Sequence, residues 1–497
     1  MNAPDLVARS ARSLAVNMAL MRAFRRSPMD FLDVLVASGA GTVPLRMGPE
    51  RVLLIDDATQ AWELLTKHAR RTGKGRGIVR ARLLLGEGLL TSEGEEHLRH
   101  RRAVQPAFHA QRIADYLPHF ARAARHAADR WSDGGEIDLV SETSGMTLDG
   151  AGSALFGSDL RTSAPRITRA LTSLLAGFRL GMAPGGCALL RSPLPIAIRV
   201  RSAKAELENI VDELIRGRWA GEHPPGPVLE LLASQPGFTD RQVRDEVMTL
   251  LLAGHETTAM ALTWALAAID QAPTVRADLE AEWDAHPKTP PAGELADVLP
   301  LTMAVLAETL RLWPPSWMFS RRVLESVVLG ERTVPVGTMC LVSPALLHRD
   351  PRWWAEPERF RPDRWLRRTP GQADRFDPKA PGQPRGAYLP FGAGPRMCIG
   401  EEFAWSEAAT VLAELGRTWR IRVHDAPLIP GRSSMTLRPN GPVQAMTSLR
   451  VQGNPRQDHR PPPRQPRAVG QAAESAGPAD KPQPRRRCRP PRQSQYG

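Results

Sequence analysis

The segment "TDRQVRDEVMTLLLAGHETTAMALTWALAAIDQ", Thr239 to Gln271, restricts the fold more than any other part of the chain. Drawn as a helix of about 31 residues, it is roughly 46 Å long at 1.5 Å per residue. Apolar residues occupy nearly every face of its middle, so it has to run through a protein interior. Thr239 is placed as the N-cap, and Gln242 completes a capping box. The driest part nevertheless holds "AGHETT", Ala253 to Thr258. Gly254 there costs about 1 kcal/mol against alanine. Glu256 needs partners or water if it is buried. Two readings stand at this point. One is a kinked helix whose threonines bond back to carbonyls. The other is a polar notch that faces a ligand.

The rest of the chain reads as a helical body around this rod. "TVPLRMG" and "ERVLLIDD" are short strand patterns, and "ATQAWELLTKH" is a helix. From about Arg99 to Leu312 apolar residues recur at three-to-four spacing. Strand patterns return in "SVVLGERTVPVGTMCLVS". The stretch from Arg349 to Arg396 is rich in Pro, Arg and Trp and has little periodicity. A last helix follows Gly400, and final strands run from about Thr418 to Arg450. The expected class is mainly α with a small β part that takes strands from both ends of the chain.

Length alone suggests about three domains. The composition, 42% hydrophobic and 24% charged, fits a soluble globular protein. Cys187, Cys340, Cys398 and Cys488 are too irregularly spaced for a disulfide framework or a zinc site. A reducing cytoplasm is the expected location. No apolar run reaches the roughly 18–20 residues of a membrane span. "SLAVNMALM" is short and lacks a cleavage site, so no signal peptide is read. Arg22, Arg25 and Arg26 beside it permit a basic interfacial helix, although a plain surface helix is the simpler reading. The net charge of +13 is uneven. Residues 453–497 hold ten Lys/Arg, three Asp/Glu and ten Pro, so this tail is expected to be disordered. "PRRRCRPPR" within it could touch nucleic acid or anionic lipid, but a solvated tail is preferred and no nucleic-acid partner is expected.

The densest chemistry lies in "FGAGPRMCIG", Phe391 to Gly400. A lone cysteine cannot build a structural zinc site, which needs four protein ligands. It can supply the single axial thiolate of a haem. Gly392, Gly394 and Gly400 would let backbone fold under a flat macrocycle and aim N–H groups at the sulfur of Cys398. The helix that follows would put its positive N-terminus close by. Phe391 would shield the sulfur from water.

This stretch resembles the haem-binding loop of the cytochromes P-450, Phe-x-x-Gly-x-Arg-x-Cys-x-Gly, at every fixed position. "ETLR" is similar to the family's Glu-x-x-Arg motif, giving Glu308 and Arg311. "PERF" is similar to the following meander and supplies Arg359. The resemblance implies that these three form a buried ion network under the haem loop. Taken alone, Glu308 and Arg311 could be an ordinary surface pair. "AGHETT" resembles the oxygen-activating motif of the family's long helix. Thr257 would then hydrogen-bond dioxygen, and Glu256 would relay protons from solvent. His97 and Arg101 in "HLRHR", Arg396 in the cysteine loop and Arg322 in "FSRRV" are the implied partners of the haem propionates, with Arg321 the rival of Arg322. The resemblance covers about Thr42 to Arg450. It implies one triangular helical body with a small β lobe rather than three domains. The organisation expected is an N-terminal segment (1–41), a haem-thiolate catalytic domain (42–452) and a tail (453–497).

The implied activity is a monooxygenase that inserts one oxygen atom from O2 into a hydrophobic small molecule. The implied cofactor is haem b, with no bound flavin or iron–sulfur cluster. Electrons would come from NAD(P)H through a ferredoxin and its reductase, docked by steering onto Arg99, Arg102 and "RWLRR". A monomer is expected. Pocket walls are expected from "GIVRARLLLGEGLL", Ala253, Thr257, Trp317, Met318, Phe319 and Met435, although Trp317 could equally be core. "LLGEGLLTSEGEEH" is similar to bacterial enzymes acting on terpenes and fatty acids, with terpenoids slightly ahead. The alternatives are a haem-thiolate peroxygenase or isomerase, and a haem or ligand-binding protein without turnover.

Overall fold

The central helix forms where its sequence places it, from Asp240 to Asp270, and Thr239 caps it. The Thr239 hydroxyl accepts from Gln242 N–H at 3.3 Å, and the Gln242 side chain accepts from Thr239 N–H at 3.1 Å. The computed structural model describes Met29, Leu32 and residues 43–47, 50–182, 186–219, 226–367, 374–379, 383–424, 430–431 and 435–450. The N-terminal helix reading and the tail lie outside the described residues.

The elements come in the following order. β1 (Val43–Met47) and β2 (Glu50–Ile55) precede α1 (Ala58–Leu65), β3 (Thr72–Lys74), α2 (Arg76–Leu85) and α3 (Gly94–Val104). Next are α4 (Ala110–Ala128), β4 (Glu136–Asp138), α5 (Leu139–Phe156), α6 (Ala164–Met182), α7 (Gly186–Arg191), α8 (Pro195–Trp219) and α9 (Pro227–Ser234). The central helix is α10 (Asp240–Asp270), followed by α11 (Pro273–Ala285), α12 (Leu295–Val298) and α13 (Pro300–Leu312). Then come β5 (Phe319–Val323), β6 (Val327–Leu329), β7 (Arg332–Val334), β8 (Met339–Val342), α14 (Pro344–Leu347), β9 (Leu366–Arg367) and β10 (Arg375–Phe376). α15 (Glu401–Thr418), β11 (Trp419–Val423) and β12 (Gln444–Leu449) finish the body.

The class is mainly α with small sheets. α10 packs against α5, α8, α13 and α15, so its apolar faces find partners on all sides. Hydroxyls stitch it to α5. Thr143 and Thr263 share a hydrogen bond of 2.8 Å, and Thr147 donates to the His255 carbonyl at 3.0 Å. Among the described residues the largest sheet runs β1-β2-β8-β5-β3, which joins the start of the chain to its middle. A second sheet, β11-β12-β4, joins the last strands of the described body to β4. β4 interrupts a region whose periodicity is helical. Its three residues pair with β12 in the register Gln444↔Asp138, a long-range contact without a local signal. The described residues up to Arg450 form one compact unit. Among them, no helix is long and apolar enough to cross a membrane.

The cap makes a discriminating test. Thr239→Ala is expected to lower stability by about 1 kcal/mol and Thr239→Gly by only a few tenths. Equal losses in chemical denaturation would refute a capping role for the hydroxyl.

Candidate active site

α10 is buried along most of its length, yet Ala253 in its middle is exposed. A Cβ added at Gly254 would meet nothing within 4 Å. The small residues of "AGHETT" therefore leave a hollow inside the body. Thr257 lines the same turn, and its hydroxyl donates back to the Ala253 carbonyl at 2.9 Å. Thr258 does the same to Gly254 at 3.2 Å. Glu256 is buried and fully engaged. It accepts two hydrogen bonds from Arg438, at 2.6 and 2.7 Å, and one from Thr436 at 2.9 Å. The carboxylate is thus held toward the segment of Thr436 and Arg438, which precedes β12.

Cys398 occupies the loop before α15. It is exposed, although protein surrounds it closely. Burial pushes its thiol up to about 11, against a Gly400 N–H and the nearby Arg101, which favour the thiolate. Cys398 N–H donates to the Phe391 carbonyl at 2.9 Å, which closes the loop. Gly392 and Gly394 take φ of 75° and 71°. At Gly394 a Cβ would also lie 2.2 Å from the Leu65 carbonyl, so only glycine fits. Gly400 differs. Its φ is −94°, and its contribution is the N–H at the sulfur. The Phe391 ring is half-buried and tilts against Trp405 at 5.8 Å.

Cations gather beside this loop. Arg101 Nη1 donates to the Met397 carbonyl at 2.8 Å, which ties α3 to the cysteine loop. Arg396 donates to the Ala69 and Thr72 carbonyls, both at 2.9 Å. Burial lowers Arg396, and it lowers Arg321 to about 10 with Arg396 adding to the effect. His97 is buried, and Nδ1 has no partner in the protein. Burial, helped by Lys74 and Arg396, holds its imidazole down at about 4. Lys74 is lowered to about 7 by burial, with Glu93 the acid that opposes the shift. Arg322 is exposed on the opposite face of β5 from Arg321, so the expectation for it is corrected. Arg321 is the residue in the cluster, because side chains alternate along a strand.

A thiolate-bound haem fits these residues. Cys398 is exposed in its loop, the small residues Ala253 and Gly254 leave open space on α10, and a surplus of enclosed basic groups calls for anions such as two propionates. Cys398 would hold the iron, while His97, Arg101, Arg321 and Arg396 would hold the carboxylates.

The cytochrome P450 (P-450) family model matches residues 16–445. This chain belongs to the cytochrome P-450 family. It is 37% identical over 436 residues to cyclooctatin synthase of Streptomyces melanosporofaciens, covering 86% of this chain and 92% of that one. It is 36% identical over 407 residues to cyclooctat-9-en-7-ol 5-monooxygenase of the same organism, covering 80% and 86%. Pentalenene oxygenase of Streptomyces avermitilis is 32% identical over 414 residues, covering 82% and 89%. The crystal structure of the cytochrome P450DA heme domain superposes with a TM-score of 0.72 at 23% identity, covering 85% of this chain and 93% of that chain. That likeness concerns the fold. As a member of the family the chain is a haem-containing monooxygenase, an oxidoreductase.

The ion network of this P-450 differs from the expected trio. Glu308 and Arg311 have no exposure and pair through two hydrogen bonds of 2.8 Å. Arg359 does not join them. Its side chain is 69% exposed and pairs with Glu356, and only its carbonyl accepts from Arg311, at 3.1 Å. The third charged member is Arg364, whose Nε donates to Glu308 at 3.1 Å. Trp365 Nε1 adds a bond of 2.9 Å to the same carboxylate. The network reaches the cysteine loop through His348. Arg311 donates to the His348 carbonyl at 2.8 Å, and Leu389 N–H donates to His348 Nε2 at 2.7 Å.

The expected pocket wall also needs correction. Trp317 is only 5% exposed and packs with Leu54, Met339, Leu341 and Leu437, so it is core. Met318 packs against the same cluster and Met435 against the main core, both half-buried. Phe319 approaches the cysteine loop at Gly392. Sequence reasoning missed Lys74. Its ammonium donates to the Leu89 and Leu90 carbonyls at 2.8 Å and to Ser92 at 2.6 Å. The loop before α3 is held from the other side by Asp245 and Glu246, which accept from the N–H groups of Glu87 and Leu89, both at 2.8 Å. A lone lysine among glycines, in "RTGKGRG", was the available signal.

Arg364→Ala should cost about 3 kcal/mol, since it strips a partner from a buried carboxylate. Arg359→Ala should stay within about 0.5 kcal/mol. Thermal denaturation of the two variants separates the assignments, and the reverse ranking would restore Arg359.

His348 gives a pH test. Burial, with Arg311 close by, holds its imidazole at about 3. The unfolded chain, with histidine near 6.5, therefore takes up the proton first. Stability should be intact above about pH 6.5 and fall by up to about 1.4 kcal/mol per pH unit below it, toward pH 3. His348→Gln should flatten this slope between about pH 6.5 and 5. An unchanged slope would assign the acid sensitivity elsewhere.

Proposed function

We propose that this P-450 oxidises a terpenoid, placing one oxygen atom in a C–H or C=C bond, with electrons passed from NAD(P)H through a ferredoxin reductase and a ferredoxin. The observation that carries this reading is the set of three relatives at 32–37% identity whose names are those of enzymes acting on terpenoid compounds. An apolar substrate suits the small residues Ala253 and Gly254 that open the hollow. When bound, the haem with its cysteine thiolate supplies the activation of dioxygen.

The protein's own groups then have separate tasks. Thr257 offers a hydroxyl at the hollow once it turns from the Ala253 carbonyl. Glu256 and Arg438 join that turn to the outside, since the Arg438 side chain is 29% exposed. A proton can thus pass between solvent and the turn of Thr257 without a wide channel. The exposed Arg99 and Arg102 on α3 face outward from the helix that Arg101 ties to the cysteine loop, a surface suited to an acidic electron donor. Arg364 is excluded from that surface by its burial, while Arg367 is exposed and paired with Asp377.

The reduced protein with carbon monoxide should show the strongly red-shifted Soret band of thiolate ligation, and Cys398→Ala should lose it. A spectral-shift screen should then favour cyclic terpenes over fatty acids. Thr257→Ala should keep the bands while coupling of electrons to product falls by about tenfold. Turnover with reduced ferredoxin should decline as salt rises. Tighter binding of fatty acids would overturn the substrate class. A histidine-type spectrum would overturn the haem-thiolate reading itself.

A further inference from the structure

α10 borders a second cavity beyond its notch. About 870 Å³ of space lies among Trp264 and Ala268 of α10, Asp278 of α11, Trp313 after α13, and Phe360 and Arg361 of the meander. Trp264 is seven residues past Thr257, about 10 Å further along the helix. Among the described residues, none of "AGHETT" or of the cysteine loop lines this space. Folded interiors hold few voids larger than a water molecule. A volume of this size is that of a small-molecule site.

One side of the cavity is aromatic. Trp264 and Trp313 stack with ring centroids 5.3 Å apart and planes within 3°. The Trp264 indole N–H donates to the Leu437 carbonyl at 3.2 Å, which fixes that ring. Trp313 is half-buried, and Phe360 tilts against it at 6.4 Å. Among the described residues, the Trp313 indole N–H has no acceptor. The small side chains of Ala267 and Ala268 leave room beside the stack.

The polar lining carries four acids, Asp278, Glu356, Glu358 and Asp363, against two bases, Arg359 and Arg361. Both bases are taken. Arg359 pairs with Glu356 at 2.9 Å, and Arg361 pairs with Glu356 at 2.6 Å and Asp363 at 2.8 Å. Glu358 meets Arg349 at 3.3 Å. Asp278 is exposed, and among the described residues its carboxylate has no partner. α10 and α13 end at this cavity and α11 begins there, so two negative helix ends meet one positive end. Aromatic rings beside a free carboxylate select an aromatic cation, held by stacking, cation–π attraction and one ion pair.

The same walls adjoin the Glu308 network. Arg361 N–H donates to Glu308 Oε1 at 2.9 Å, and Trp313 lies two residues after Arg311. From Arg311 the contacts run to His348 and on to Leu389, two residues before Phe391. A ligand that shifts Trp313 or the meander therefore bears on the loop of Cys398. We propose that this cavity is a second ligand site, for an aromatic cation, whose occupancy adjusts the cysteine loop through Glu308. The proposal holds whatever substrate the enzyme oxidises.

Equilibrium dialysis of the full-length holoprotein with N,N,N-trimethyltryptammonium tests it. This quaternary ion has no amine lone pair for iron, and excess imidazole keeps the iron occupied. One equivalent should bind with imidazole present. Neutral 3-ethylindole should bind about tenfold more weakly, and Asp278→Asn should weaken the cation about threefold. Thr274→Trp, at an exposed lining position, should fill the space and remove most of the binding. The carbon monoxide Soret band reports the folding of both variants. Saturating cation should change the dissociation constant of imidazole, read from its Soret shift, about fivefold in the parent and not in Thr274→Trp. An absence of binding, or equal binding in the parent and both variants, would overturn the site. Equal binding of 3-ethylindole would overturn the cation. Binding that leaves imidazole affinity unchanged would overturn the link to the cysteine loop.

Discussion

A carboxylate without solvent contact, Glu308, holds the supporting half of this molecule together. Five donors converge on it: Arg311 through two nitrogens, the N–H of Arg361, Arg364 and Trp365. Burying that charge is expensive, and only such complete satisfaction makes it tolerable. The return is geometric. α13 and the meander from Arg361 to Trp365 are fixed relative to one another by one group. Arg311 extends the set to the carbonyls of His348, Pro357 and Arg359. His348 then accepts from Leu389, two residues before Phe391. The cysteine loop is therefore placed by a network that never touches the sulfur.

Above that base, the protein accumulates basic groups with Glu93 as the acid that opposes them. Lys74, His97, Arg321 and Arg396 face one another at close range, and each is pushed toward its neutral form mainly by burial. Such a cluster is costly on its own. It becomes favourable when anions enter, so the site is strained toward its ligand rather than toward itself. Lys74 also spends its three donors on the loop from Leu89 to Ser92. Cofactor cluster and pocket wall are thus mechanically joined through one side chain.

What could be read from the sequence was whatever is local. The capping box at Thr239, the length of α10, the glycines around Cys398 and the Glu308–Arg311 spacing are all encoded within a few residues. The failures share one cause. Arg359 and Arg364 both sit in a segment without periodicity, and only the path of the chain decides which guanidinium turns inward. Arg321 and Arg322 differ by one step on β5, and a strand sends neighbouring side chains to opposite faces. Which face is inner depends on β3 and β8, its partners far away in the sequence. Trp317 looked like a pocket wall because it follows α13. Its fate was set by Leu437, 120 residues later in the chain. Arg438 had no local signal at all.

The notch in α10 shows how a dry helix can carry polar chemistry without losing its fold. Gly254 and Ala253 remove side-chain volume on one face, which makes room for a ligand. The threonines return their hydroxyls to carbonyls of the preceding turn, so neither is left unpaired while the hollow waits. Glu256 is the one group that could not be satisfied within the helix. Arg438 and Thr436, on the returning chain near β12, meet its need. The acid of the long helix is therefore placed by the last turn of the fold, and the body has to close before the chemistry of its centre exists.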